Sequence, residues 1–238
     1  MSAMGLAVIG AGMRSAIMLD YLKNNPHEGV VTGLYDIIPQ RSQFLIDRHG
    51  IKGATVYQSL DEALADPRTA AVMVATVDSE HVEPSIAALR AGKHVYCEKP
   101  MAITLEDCDT MIAEAKAARS VFYVGMNLRH GPVHEALHDL VASGQLGKLL
   151  TVEANEYYYG GRTYFRRWNG LRRYGGGLWL TKACHDFDLL NWMAGGRPTR
   201  IYATCSLSHY KPKDGAASQP AATDTLPIAP SETFTPSE

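Results

Sequence analysis

The chain has 238 residues, 46% hydrophobic and 20% charged, which suits one or two folded domains and excludes a chain disordered throughout. Lys and Arg number 23 against 25 Asp and Glu, a formal net charge of -2, and this argues against a protein that works by electrostatic grip on nucleic acid. No apolar run approaches the roughly 20 residues of a membrane span, and no basic stretch precedes the apolar start MSAMGLAVIG, so neither a membrane partner nor a signal peptide is expected.

The first half alternates strand and helix patterns. Leu6–Gly10 reads as a buried strand, Ser15–Lys23 as a helix, Val30–Asp36 as a strand and Pro39–His49 as a helix opened by proline. A weaker strand near Val56 leads to a helix at Asp61–Ala65, and Ala70–Thr76 is the next apolar run. Helix Glu80–Ala91, strand His94–Cys97, helix Leu105–Ala118 and strand Val121–Gly125 complete the series. Apolar strands separated by helices predict βαβ units, hence an α/β, doubly wound Rossmann domain over residues 1–126. The next segment reads as a partial α+β domain over residues 127–210. It holds a helix at Pro132–Ser143, a long strand at Leu149–Tyr159, an Arg- and aromatic-rich loop at Arg162–Gly177, a continuous helix at Leu178–Ala194 and a strand at Thr199–Leu207. Residues 211–238 are rich in Pro, Ala, Ser and Thr, a composition that predicts a disordered tail.

Cys97, Cys108, Cys184 and Cys205 form neither a disulfide framework nor a C-x-x-C metal pair, so a cytoplasmic, reducing location and no metal are expected. The run Gly10-Ala11-Gly12-Met13-Arg14-Ser15 lies between the first strand and the first helix. The first glycine permits the turn, and the second lets the backbone approach a pyrophosphate. The helix N-terminus then offers N–H groups to the anion. Ser15 replaces the third glycine and stays small. Asp36 ends the second strand 24 residues after Gly12. A carboxylate there accepts from ribose hydroxyls and repels a 2′-phosphate, so NAD is favoured over NADP, a preference that nearby Arg41 weakens.

The second signal is Ala75-Thr76, His81, Ala88-Leu89-Arg90-Ala91-Gly92-Lys93-His94-Val95 and Glu98-Lys99-Pro100. With Gly175-Gly176-Gly177 and His185-Asp186-Phe187-Asp188, these residues resemble the Gfo/Idh/MocA family, named for glucose–fructose oxidoreductase and inositol dehydrogenase. The likeness runs from Gly5 to about Leu207. It implies that Lys99 lines the active site, that Glu98 meets the nicotinamide side of the cofactor, and that Thr76, His81 and Asn127 belong to the cofactor pocket. Physically, Glu98-Lys99-Pro100 follows a strand, so it lies at the carboxyl edge of the sheet where open α/β folds bind ligands. Pro100 suits a cis turn there.

His185 is the candidate acid/base, since histidine titrates in the range that alcohol oxidation needs. Lys182 and Asp188 stand three residues to either side and share its helical face. Two positions depart from the family pattern. Many relatives carry Asp four residues before the histidine, where this chain has Thr181. Many carry Asn where this chain has Asp78. With no carboxylate at Thr181, the alternatives are that Asp188 or Asp186 substitutes, or that Lys182 takes a catalytic part.

Arg162, Arg166, Arg167, Arg172 and Arg173 are interleaved with Tyr164, Phe165, Trp168 and Tyr174. Such a cluster suits an anionic sugar, or a structural loop contacting solvent or another subunit. Trp179 and Trp192 are expected in the core. The family usually completes its C-terminal domain with a large open sheet, of which one or two strands are expected here. An incomplete sheet leaves an edge that favours association, so a homo-oligomer is among the expectations. The resemblance implies an NAD-dependent oxidoreductase moving hydride between nicotinamide and a sugar, cyclitol or related polyol. The alternatives are an NAD-dependent glycoside hydrolase of the same fold and a non-catalytic nucleotide-binding member.

Overall fold

Six short runs pair side by side in the computed structural model, which describes residues 3–159 and 167–206. They are β1 (Met4–Ile9), β2 (Gly29–Tyr35), β3 (Thr55–Val56), β4 (Ala71–Val74), β5 (His94–Cys97) and β6 (Phe122–Val124). All pairs are parallel, and the order across the sheet is β3-β2-β1-β4-β5-β6. The helices between them are α1 (Met13–Asn24), α2 (Pro39–His49), α3 (Leu60–Ala65), α4 (Val82–Arg90) and α5 (Leu105–Ala117).

Side chains alternate across a strand, so each strand feeds two cores. Ala7, Ile9, Val72 and Val74 join a cluster with Ala88 and Leu89 of α4 and Met111 of α5. Val8 and Met73, pointing the other way, join Leu19 and Leu22 of α1 and Leu45 and Ile46 of α2. Burial on both faces explains why these strands are continuous apolar runs rather than alternating ones. The strand order reverses between β1 and β4, and a crevice opens there at the carboxyl ends of the strands.

The second half differs from what its pattern predicts. Residues 149–159 and 199–206 form no strand; Leu207 lies outside the described residues, as does the tail from 211. Alternation specifies which side chains share a face, but a strand exists only where a neighbour completes its hydrogen-bond ladder. Neither segment has such a neighbour among the described residues. Leu150, Tyr157, Ile201 and Tyr202 are correspondingly exposed.

Helix α6 (Pro132–Ala142) forms as expected, but Leu178–Ala194 is two helices, α7 (Leu178–Thr181) and α8 (Cys184–Ala194). At the break, His185 N donates to Lys182 O at 3.4 Å instead of to Thr181 O. The carbonyl of Thr181 is thereby left for another donor. Trp179 is 56% exposed, stacked on Phe187, and so is not a core residue among the described ones. Trp192 stacks on His138 with ring centroids 4.0 Å apart. Among the described residues no helix is long and apolar enough to cross a membrane.

Gly33 in β2 shows how closely the sheet edge is packed. A Cβ there would lie 2.3 Å from Thr55 O and 2.5 Å from the Tyr57 ring. Gly33→Ala is therefore expected to destabilise the fold by roughly 1–3 kcal/mol, the usual cost of overpacking. Chemical unfolding should show a lower midpoint at unchanged slope, and an unchanged midpoint would contradict the packing described.

Candidate active site

The glycine loop is shaped by contact with β4. Gly10 has φ +93°, and a Cβ there would meet Ala75 O at 2.7 Å and Thr76 N at 2.9 Å. No L side chain fits that turn without a shift. Gly12 caps α1, and a Cβ on it would come no nearer than 4.0 Å to Ala75 O. The space in front of the first turn of α1 is thus open for an anionic group, which the N–H groups there favour. Ser15 is fully buried, and its hydroxyl donates to Gly10 O, tying the turn to the helix it precedes. Met13 and Arg14, in that first turn, are exposed.

Asp36 follows β2 and reaches back to the loop. Its Oδ2 accepts from Ala11 N at 2.8 Å and its Oδ1 from Ile38 N at 2.9 Å, and Arg41 Nη1 stands 3.9 Å from Oδ1. Each carboxylate oxygen has a second lone pair, so the group can still accept from a ligand hydroxyl. Arg41 lies beside it, as the sequence spacing suggested.

The ends of β4 and β5 supply the opposite wall. Thr76 Oγ1 donates to Glu80 O at 2.9 Å, closing the turn that carries Asp78. His81 is 1% exposed; its Nδ1 bonds Pro100 O at 2.8 Å, and its Nε2 is buried without a hydrogen-bond partner. The ring lies beneath the Lys99–Pro100 turn, which contains the cis peptide expected. Glu98 is nearly buried; its carboxylate accepts from Lys99 N at 3.2 Å and, more distantly, from the Tyr96 hydroxyl at 3.4 Å. Asn127 opens the short turn after β6 and is exposed at the same edge of the sheet.

Helices α7 and α8 close over this edge. Lys99 Nζ donates to Thr181 O at 2.7 Å, using the carbonyl freed by the helix break. Thr181 Oγ1 donates to Asp78 Oδ2 at 2.6 Å, and Ser79 N donates to Tyr174 O at 3.1 Å. His185 is 5% exposed, with its Nδ1 buried and free of hydrogen bonds. Burial, reinforced by the positive charges of Lys99, Lys182 and Arg14, pulls its pKa from the ordinary 6.5 to about 4. At neutral pH the ring is therefore uncharged and able to take a proton.

The other two candidates are turned elsewhere. Asp188 makes a bidentate pair with Arg129, Nε to Oδ2 and Nη2 to Oδ1, both at 2.7 Å. It does not replace the missing carboxylate as a hydrogen-bond partner of His185. Helical spacing brings the two onto one side of the helix, but the Arg129 fork from the turn after β6 matches a carboxylate far better than one ring nitrogen does. Lys182 Nζ pairs with Glu156 Oε1 at 2.5 Å and lies 5.1 Å from the centre of the Tyr158 ring. Its charge reaches His185, but its amine is already engaged. Asp186 bonds Glu156, and burial followed by that neighbour raises its carboxyl pKa. Glu156 and Arg129 were not legible as partners, because each sits on an element remote in sequence from α8. Arg162 and Arg166, with Tyr164 and Phe165, lie outside the described residues, whereas Arg173 stacks its guanidinium 4.7 Å from the Tyr174 ring centre.

Residues 4–126 match the sequence model of an oxidoreductase family with an NAD-binding Rossmann fold, and residues 134–225 match the GFO/IDH/MocA C-terminal domain. The chain belongs to the GFO/IDH/MocA family. The second match runs past Leu207, further than the motifs alone indicate. A 1,5-anhydro-D-fructose reductase from Ensifer adhaerens is 34% identical over 176 residues, covering 74% of this chain and 52% of that protein. A myo-inositol 2-dehydrogenase from Thermotoga maritima is 29% identical over 206 residues, covering 86% and 59%. The chain thus spans little more than half the length of these curated relatives. Among solved structures, the WlbA dehydrogenase of Chromobacterium violaceum, in complex with NADH and UDP-GlcNAcA, superposes with a TM-score of 0.74 at 25% identity, covering 81% of this chain and 56% of that one.

The state of His185 has a measurable consequence. Its folded pKa lies below its unfolded one, so the unfolded chain binds more protons between about pH 6.5 and about pH 4. The stability it contributes is intact above that window and is lost as pH falls through it. In His185→Gln, the drop in Tm between about pH 7 and about pH 5 should be smaller than in wild type. Equal drops would mean that His185 is not held neutral by burial.

Proposed function

We propose that this chain is an NAD-dependent oxidoreductase that moves hydride between the nicotinamide and a CH–OH carbon of a sugar, cyclitol or related polyol. The proposal includes a nucleotide-binding part to about residue 126 and a substrate-facing part beyond it. The observation that carries the reading is the meeting of Lys99 and His185. The ammonium of Lys99 is held by Thr181 O, and a neutral His185 stands four residues further along the chain. Both lie at the carboxyl edge of the sheet that also bears the glycine loop.

The cofactor fits the residues present. Gly10 has no room for a Cβ, Gly12 leaves open space before the first turn of α1, and Asp36 lies against the loop at Ala11. In this reading those residues hold the pyrophosphate and the adenine-side ribose, with Thr76, Glu98 and Asn127 along the nicotinamide half. When bound, the dinucleotide supplies the hydride acceptor or donor. Lys99 donates a hydrogen bond to the reacting oxygen, which stabilises the charge that builds on it as its proton departs. His185 takes that proton in the oxidising direction and returns it in the reverse direction. Burial depresses the basicity of His185, and protonation must occur beside Lys99 and Lys182. The base form is thus present above about pH 4, and the oxidation rate should fall only as pH drops toward that value.

An Asp36 carboxylate facing the ribose hydroxyls predicts that fluorescence titration will give a lower Kd for NADH than for NADPH. Asp36→Ala should weaken NADH binding by about tenfold, the equivalent of about 1.4 kcal/mol. Lys99→Met and His185→Gln should each lower hydride transfer at least a hundredfold, by the order expected for loss of an acid–base or oxyanion contact. Both should retain NADH binding. A folded chain that binds neither dinucleotide would refute the reading.

A further inference from the structure

Asp78 and Thr181, on elements far apart in the chain, are bonded to each other. The bond runs from Thr181 Oγ1 to Asp78 Oδ2, 2.6 Å across 103 positions of sequence. The two residues are 3% and 7% exposed. A carboxylate is costly to bury unless a cation and hydrogen bonds compensate it. The same Thr181 accepts from Lys99 Nζ through its carbonyl at 2.7 Å. The carboxylate and the ammonium are therefore attached to two atoms of one residue.

The groups around Lys99 come from three places. Asp78 in the turn after β4 and Cys184 and His185 at the α7–α8 junction feel its charge directly, while His81, and Glu98 at the end of β5, act on Asp78, and Lys182 acts on Cys184 and His185. Glu98 already accepts from Lys99 N and from the Tyr96 hydroxyl. Lys182 is paired with Glu156. The two donors to Glu98 are neutral and leave it charged, so two carboxylates stand near Lys99; Asp78 is the one joined to it through Thr181. Burial, and the Glu98 charge, push the Asp78 pKa up, while the Thr181 hydroxyl, His81 and Lys99 pull it back.

We propose that Asp78 is a positioning residue for Lys99: its hydrogen bond to Thr181 fixes the carbonyl that aims the ammonium, and its carboxylate is a countercharge to it. This inference rests on the reading of Lys99 as the group that faces the reacting hydroxyl.

The test is a double-mutant cycle on the full chain, read first by thermal unfolding. Asp78→Asn keeps an oxygen for Thr181 and removes the charge. Lys99→Met should lower Tm in the wild-type background and cost less than about half as much in the Asp78→Asn background, the mark of coupled charges. Equal costs in both backgrounds overturn the inference. If Asp78→Asn does not fold, Asp78→Ser serves the same cycle.

Kinetics with myo-inositol and with levoglucosan as probes give the second readout. Asp78→Asn should lower kcat by roughly ten- to a hundredfold through misplacement of Lys99, with the NADH Kd held within about threefold. Moving the charge across the bond, in Asp78→Asn/Thr181→Asp, should restore kcat to within about threefold of wild type. An undiminished kcat in Asp78→Asn, or no recovery in the double variant, also overturns it. A wild-type chain that binds NADH but turns over neither probe counts against the polyol reading instead, and the thermal cycle then decides the role of Asp78.

Discussion

Thr181 joins the two halves of the site through both of its polar groups. Its hydroxyl donates to Asp78 and its carbonyl accepts from Lys99. The carbonyl is available because the chain stops being helical between α7 and α8, so His185 N bonds Lys182 O instead. A continuous helix would direct that carbonyl to His185 N. The position of His185 relative to Lys99 thus depends on a break of two residues. The bond between Ser79 N and Tyr174 O adds a second attachment between the same elements.

Charge is divided within the site by burial and by pairing. His185 is kept neutral because it is withdrawn from water and surrounded by the like charges it would acquire on protonation. Lys182 is engaged by Glu156, and Asp188 by Arg129. Those pairs engage two of the charged groups that act on His185. They also tie the α7–α8 junction to residues 149–159 and α8 to the turn after β6.

The dinucleotide half was legible because its signals are local. Gly10 is required by a turn that comes within 2.7 Å of Ala75 O, and β1 and β4 are apolar throughout because both faces of the sheet are covered. Asp36 directly follows its strand, which ends one residue earlier than expected, and still reaches the glycine loop. The second half was less legible for a physical reason. Tyr157 to Tyr159 and Ile201 to Tyr202 carry the composition of strands, yet strand formation depends on partners that composition does not specify. Trp179, a large apolar residue in a helix, was expected in the core and stacks on the exposed surface instead.

The sequence by itself determined the parallel α/β order, the glycine loop with its acidic partner, and the membership of Lys99 and His185 in one motif set. The first two follow from periodicities and residue types that act over a few turns of chain, and the third from the family resemblance of the motifs. Only the tertiary structure decided which charges meet. Helical spacing offered Asp188 to His185, and folding gave it to Arg129. Sequence flagged Asp78 and Thr181 separately, and folding bonded them across 103 positions. Electrostatic pairing depends on distances of a few ångströms and on exclusion of water, and both are set only when remote elements pack together.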